Sequence, residues 1–165
     1  MKNIRQSICE AVGKGSRKTI LNLAAEFEVA ELMSSDISDE AFEFILDLLS
    51  SEELFNRPGM SAFLVNISFD MNKFSLTQKA QMLSAVQLNY SRYSDLEFCW
   101  VLCDIVARNY ERSVALKAFG DLVNDVTSEG RKGIALGLDA IAKQSRRDSN
   151  TMNEIEKISR CLSQR

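Results

Sequence analysis

The stretch Ser94–Tyr110, SDLEFCWVLCDIVARNY, decides the fold. Leu96, Phe98, Cys99, Trp100, Val101, Leu102, Cys103, Ile105, Val106 and Ala107 leave it almost no polar face, the pattern of a helix buried on several sides. Ser94 with Glu97 three residues later has the form of a capping box, in which each side chain satisfies a backbone N–H that the first turn leaves orphaned. The segment is therefore expected at the centre of the molecule, with the other helices packed around it and Trp100 in the core.

Helical periodicity extends from this segment in both directions. Beyond it, Val114, Ala115, Leu116, Ala118, Phe119, Leu122 and Val123 mark one helix, and Ile134, Leu136, Leu138, Ile141 and Ala142 the next. A last helix runs from about Thr151 to Leu162, with Thr151 and Glu154 as a capping box. Before the segment, SLTQ at Ser75–Gln78 is another box, followed by Ala80, Met82, Leu83, Val86 and Tyr90 along one helical face. Further back lie a short helix over Lys2–Val12, a second capped by Ser16 with Ile20, Leu21, Leu23, Ala24 and Phe27 on one side, and a third over Asp39–Leu49. Between Ser50 and Lys73 the pattern is least regular. SSEELFNRPG reads as a helical turn broken at Pro58 and Gly59, while SAFLVNISFDMNKF is assigned to helix although its β-branched and aromatic content also suits an extended segment.

Composition points the same way. The 165 residues fit a single all-helical domain, 1–165, and hold one proline and seven glycines, too few for the many tight turns of a β fold. Cys9, Cys99, Cys103 and Cys161 lie inside helical patterns with no signal segment before them, and no apolar run approaches the roughly 20 residues of a membrane span. A reducing cytoplasm is the expected location. There is no histidine, which removes the commonest general base, the usual partner of a nucleophilic Ser or Cys, and the commonest nitrogen ligand for metals.

Helix starts near 75, 94, 111, 129 and 151 give about 35 to 40 residues per two helices, the length of one antiparallel helix-pair repeat. SVALKAFGDLV (113–123) and GIALGLDAIAK (133–143) resemble the second helices of HEAT and armadillo-type repeats in their small-large apolar rhythm, over 75–145 above all. The resemblance implies a short α-solenoid of antiparallel helix pairs with an extended binding surface. The family's proline in the first helix of a unit is absent, and an irregular helical bundle is the alternative. Both are all-α.

Charge is unevenly placed. From Glu26 to Glu53 the chain carries Glu26, Glu28, Glu31, Asp36, Asp39, Glu40, Glu43, Asp47, Glu52 and Glu53 and no Lys or Arg, while Lys2, Arg5, Lys14, Arg17 and Lys18 precede it and Arg131, Lys132, Lys143, Arg146 and Arg147 stand near the other end. Asp36, Asp39 and Glu40 would favour the positive end of the helix they open in any case. Like charges without counter-charges also repel, which raises the free energy of the compact state and suggests a surface kept for something it meets. Glu31, Asp36, Asp39, Glu40, Glu43, Asp47, Glu52 and Glu53 are the candidate partner-binding residues, with Asp39, Glu40, Glu43 and Asp47 expected on more than one helix face, and a basic protein is the partner they suit.

Other constellations are weaker. Cys99 and Cys103 share a helix face, yet structural zinc motifs hold their cysteines at tight turns, so all four are expected as small buried hydrophobes, with no metal and no cofactor. Trp100 and Asp104, four apart, are similar to the aromatic-plus-carboxylate pair of HEAT-like alkylpurine DNA glycosylases, with Arg131–Arg147 as a basic strip for phosphates. A net charge of −3 is wrong for a DNA-binding domain, so a HEAT-like DNA-binding protein or alkylpurine DNA glycosylase stands only as the enzyme alternative. GKGSRKT at Gly13–Thr19 lacks the spacing of a nucleotide-binding loop, and no small-molecule substrate is evident. The chain is thus expected to be a non-enzymatic protein-binding module. In type it resembles the small acidic helical immunity proteins of bacteria, which occlude a cationic toxin, commonly a nuclease. A general scaffold or adaptor is the second choice.

Overall fold

The computed structural model describes residues 6–7, 10–11, 17–33, 35–145 and 148–164. Among them there is no strand, and the fold is all-α. The helix expected over Lys2–Val12, with Cys9, and the Ser16 cap fall largely or wholly outside the described residues. The chain divides into two compact units, Met1–Val86 and Gln87–Arg165, taken here in turn.

In the first unit, α1 (Arg17–Phe27) continues into a wide π turn, Glu28–Leu32, closed by the five-residue bond from Met33 N–H to the Glu28 carbonyl at 2.9 Å. The chain reverses into α2 (Asp39–Ser50), where the Ser38 hydroxyl accepts the Ala41 N–H at 3.1 Å and satisfies one orphan donor of the first turn. A single turn, α3 (Glu52–Phe55), leads to a bend at Pro58–Gly59. Gly59 has φ +96°, a left-handed conformation that a side chain rarely adopts. Then comes α4 (Ser61–Phe69). The extended alternative for this segment fails because Phe63, Leu64 and Ile67 recur at helical spacing and are all buried. Phe63 meets Phe27 at 5.8 Å and Phe44 at 5.3 Å, and those two meet each other at 5.3 Å, all edge to face, which is the favoured arrangement of aromatic quadrupoles. The last helix, α5 (Leu76–Asn89), starts on the expected box: Gln78 N–H donates to Ser75 Oγ at 3.2 Å and Ser75 N–H to Gln78 Oε1 at 2.9 Å.

In the second unit, α6 (Leu96–Asn109), α7 (Arg112–Leu122), α8 (Ser128–Gln144) and α9 (Ser149–Ser163) follow with short connections. The quoted segment is indeed a helix, but its cap is Asp95, whose Oδ1 accepts the Phe98 N–H at 2.8 Å, and not Ser94. Nor is it buried all round. Phe98, Cys99, Leu102, Cys103, Ile105, Val106 and Ala107 are buried, whereas Trp100 is 52% exposed and Leu96 is exposed beside it. At the start of α9, Asp148 takes the capping place expected of Thr151 by accepting the Thr151 N–H, and the Thr151 hydroxyl donates to it at 2.7 Å.

Close approach of α8 to α6 organises this unit. A Cβ at Gly133 would lie 2.8 Å from the Cys99 carbonyl oxygen, and one at Gly137 would lie 3.1 Å from that of Cys103 and 2.6 Å from the Phe119 ring. The paired positions advance together by four residues, so α6 and α8 run in the same direction. Gly120 facing Ile158 and the Arg112–Asp148 ion pair place α7 and α9 side by side in the same way. The result is two helix pairs laid next to each other. Tyr90 closes the α6–α8 seam: its hydroxyl donates to the Gly130 carbonyl at 2.8 Å and lies 2.9 Å from Cys103 Sγ.

Candidate functional site

Four of the candidate acidic residues are brought together by one helix. Asp39, Glu43 and Asp47 follow one another at intervals of four and Glu40 lies three before Glu43, which puts all four within about a quarter to a third of the turn of α2, opposite Ala41, Phe42, Ile45, Leu48 and Leu49 in the core. The expectation that they scatter over several faces is corrected in this respect. Asp39, Glu40 and Glu43 are exposed and Asp47 is half-buried. The cap at Ser38 and the depth of the Phe27–Phe44–Phe63 cluster fix the angle at which α2 presents this stripe.

The other candidates sit elsewhere in the same unit. Glu52 and Glu53 are exposed in the first turn of α3, where carboxylates favour the positive end of the helix. Asp36 is exposed in the turn before α2. Glu31 has a local task, since its Oε2 accepts the Ser38 hydroxyl proton at 2.7 Å and so holds the oxygen that caps α2. It orients the acidic helix and does not belong to its stripe.

Opposite charges are interleaved in the second unit. Arg108 pairs with Asp104 at 2.6 Å, Arg112 with Asp148 at 3.0 Å, Lys143 with Asp139 at 2.5 Å and Arg160 with Glu156 at 2.5 Å. The strip expected to be basic is therefore partly neutralised at Lys143, and Arg146 and Arg147 lie outside the described residues. Asp148 is held below the usual carboxylate range, chiefly by the hydrogen bond from the Thr151 hydroxyl.

Trp100 and Asp104 do share a face of α6, but on the solvent side, where Arg108 Nε donates to the Asp104 carboxylate at 2.6 Å. Cys99 and Cys103 are buried as expected, and loss of hydration pushes each thiol up to about 12. Cys161 departs from that expectation: it is only half-buried, in a groove of about 510 Å³ between α7 and α9 also lined by Lys117, Asp121, Glu154 and Lys157. Among the described residues no three His, Cys, Asp or Glu side chains are grouped so as to hold a metal ion.

No family model matches the chain, and neither a curated protein nor a solved structure matches it. No helix among the described residues is long and apolar enough to cross a membrane.

Proposed function

We propose that this chain is a protein-binding helical-repeat module without catalytic activity, an inhibitor of the immunity-protein type that occludes a cationic partner such as a bacterial nuclease toxin domain. The observation that supports it is the one-sided carboxylate stripe Asp39, Glu40, Glu43, Asp47 on a helix whose other side is anchored in the core. A rigid row of like charges steers an oppositely charged surface and competes with the phosphates that a cationic nuclease surface is built to hold. The solenoid reading belongs to the same proposal and draws on the second unit alone, where two helix pairs lie side by side.

The experiment is capture of the protein with its partner from cells that make it, followed by association kinetics with the Asp39→Asn, Glu40→Gln, Glu43→Gln, Asp47→Asn variant. The association rate should fall at least tenfold in the variant and fall steeply with salt in the parent, with dissociation changing less. Full affinity in the variant would sink the acidic-face reading.

A further inference from the structure

Four ion pairs of the second unit close at 2.5 to 3.0 Å, three of them at four-residue spacing along a helix. The charges around the α7–α9 groove do not close. Lys117 and Asp121 stand four apart on α7, and Glu154 and Lys157 stand three apart on α9, spacings at which side chains on a helix surface are neighbours. None of the four makes an ion pair or hydrogen bond among the described residues. The order Lys117 then Asp121 opposes the helix dipole and weakens closure, but Glu154 then Lys157 has the favourable order and still stays open.

Their placement follows from the contact between Gly120 and Ile158, whose Cδ1 and Cγ1 would lie 3.9 Å from a Cβ on the glycine. Asp121 is the residue after Gly120 and Lys157 the one before Ile158, so a carboxylate on one wall and an ammonium on the other flank that point. Lys117 and Glu154 stand about one turn back, with the signs exchanged between the walls. Leu116, Val123 and Ile158, themselves buried, give the groove an apolar floor, which at Gly120 has no side chain. A concave site of about 510 Å³ that joins an apolar floor to a few charged groups has the make-up of a small-molecule site.

The two signs together narrow the ligand. An anion such as phosphate meets the repulsion of Asp121 and Glu154, and a simple cation that of Lys117 and Lys157. A purely apolar molecule would strip water from the wall charges and give them no partner. A molecule with both charges on one carbon and an apolar arm satisfies walls and floor together.

We propose that the α7–α9 groove binds a free amino acid with an apolar side chain, its carboxylate at Lys157, its ammonium at Asp121 and its side chain over Gly120 against Leu116 and Ile158. The site is separate from the α2 stripe, goes beyond the acidic-face reading and does not depend on it.

The test is isothermal titration calorimetry of the full chain with phenylalanine, N-acetylphenylalanine, phenylalanine amide and glycine. The two derivatives carry one charge each, and glycine carries both without the arm. Phenylalanine should bind at least tenfold more tightly than any of the three, because each derivative leaves one wall charge unpartnered and glycine leaves the floor bare. Asp121→Asn and Lys157→Gln, at exposed positions, should each weaken phenylalanine at least tenfold with unchanged circular dichroism, while Lys132→Gln, exposed on α8 outside the groove, should leave it unchanged. Gly120→Leu should abolish binding by filling the floor; if that variant melts early, the two wall variants decide alone. Bound phenylalanine should also slow the reaction of Cys161, one turn beyond Lys157, with a thiol reagent. No heat with millimolar phenylalanine, equal binding of the four compounds, or equal loss with Lys132→Gln would overturn the proposal. So would binding that Asp121→Asn and Lys157→Gln leave intact, since the ligand would then lie elsewhere.

Discussion

Trp100 shows how far a single side chain can stray from its surroundings in sequence. A buried indole replaced by alanine costs about 3 to 5 kcal/mol, but one half in water has much less contact to lose, and Trp100→Ala should cost about 1 to 2 kcal/mol in urea unfolding followed by circular dichroism. A loss above about 3 kcal/mol would mean that the ring is covered. The thiols give a second check at this scale. Cys99 and Cys103 have folded values pushed up to about 12, above their unfolded ones. Below the unfolded value both states are protonated and stability is unaffected; above it the unfolded chain binds fewer protons than the folded one, so stability falls as pH rises from about 9 toward 12. Each thiol removes on the order of 1.4 kcal/mol per pH unit in that window. In native protein at pH 8, Cys161 should react with a thiol reagent while Cys99 and Cys103 wait for unfolding, and protection of all three would contradict the groove described for Cys161.

Between elements, the α6–α8 contact rests on two absent side chains. Gly133 faces a carbonyl of α6 across a distance that no Cβ tolerates, and the backbone there cannot step aside as a flexible side chain could. Gly133→Ala should therefore destabilise by about 1 to 3 kcal/mol, the usual range for overpacking, although alanine is the better helix former by nearly 1 kcal/mol. Gly120, which has only the Ile158 side chain at 3.9 Å, is the control: Gly120→Ala should be neutral or stabilising. Similar losses at both positions in chemical denaturation would show that the approach to the Cys99 carbonyl is not what sets the cost.

Over the whole molecule, opposite charges are interleaved in 87–165 and a single sign prevails over 26–53. Asp39, Glu43 and Asp47 follow one another at four-residue intervals, and like charges at that spacing destabilise a helix by about 0.2 to 0.5 kcal/mol per pair. Glu43→Gln removes two such contacts and should stabilise the protein by up to about 1 kcal/mol in a thermal melt while slowing association with a basic partner. A variant that melts lower would show that Glu43 serves the fold.

The all-α class, most helix positions and the Ser75–Gln78 box are determined by sequence alone, because periodicity, caps and helix breakers act within one or two turns. The acid-only stretch is equally legible, and the three-and-four spacing of Asp39, Glu40, Glu43 and Asp47 already contains the single stripe that the broader reading missed. Other features depend on what lies across the chain. Leu21, Leu96 and Trp100 match the apolar pattern of their helices as well as their buried neighbours do, and only the placement of neighbouring helices decides which apolar residues are covered. The roles of Gly133 and Gly137 in GIALG become visible only when the carbonyls of Cys99 and Cys103 are seen opposite them. The π turn at Glu28–Leu32 has no local signature, since the same residues suit an ordinary helix; seating Leu32 in the core beside α4 is what selects the wider turn. Local bonding is written in the order of residues, whereas exposure is a property of pairs of elements distant in sequence.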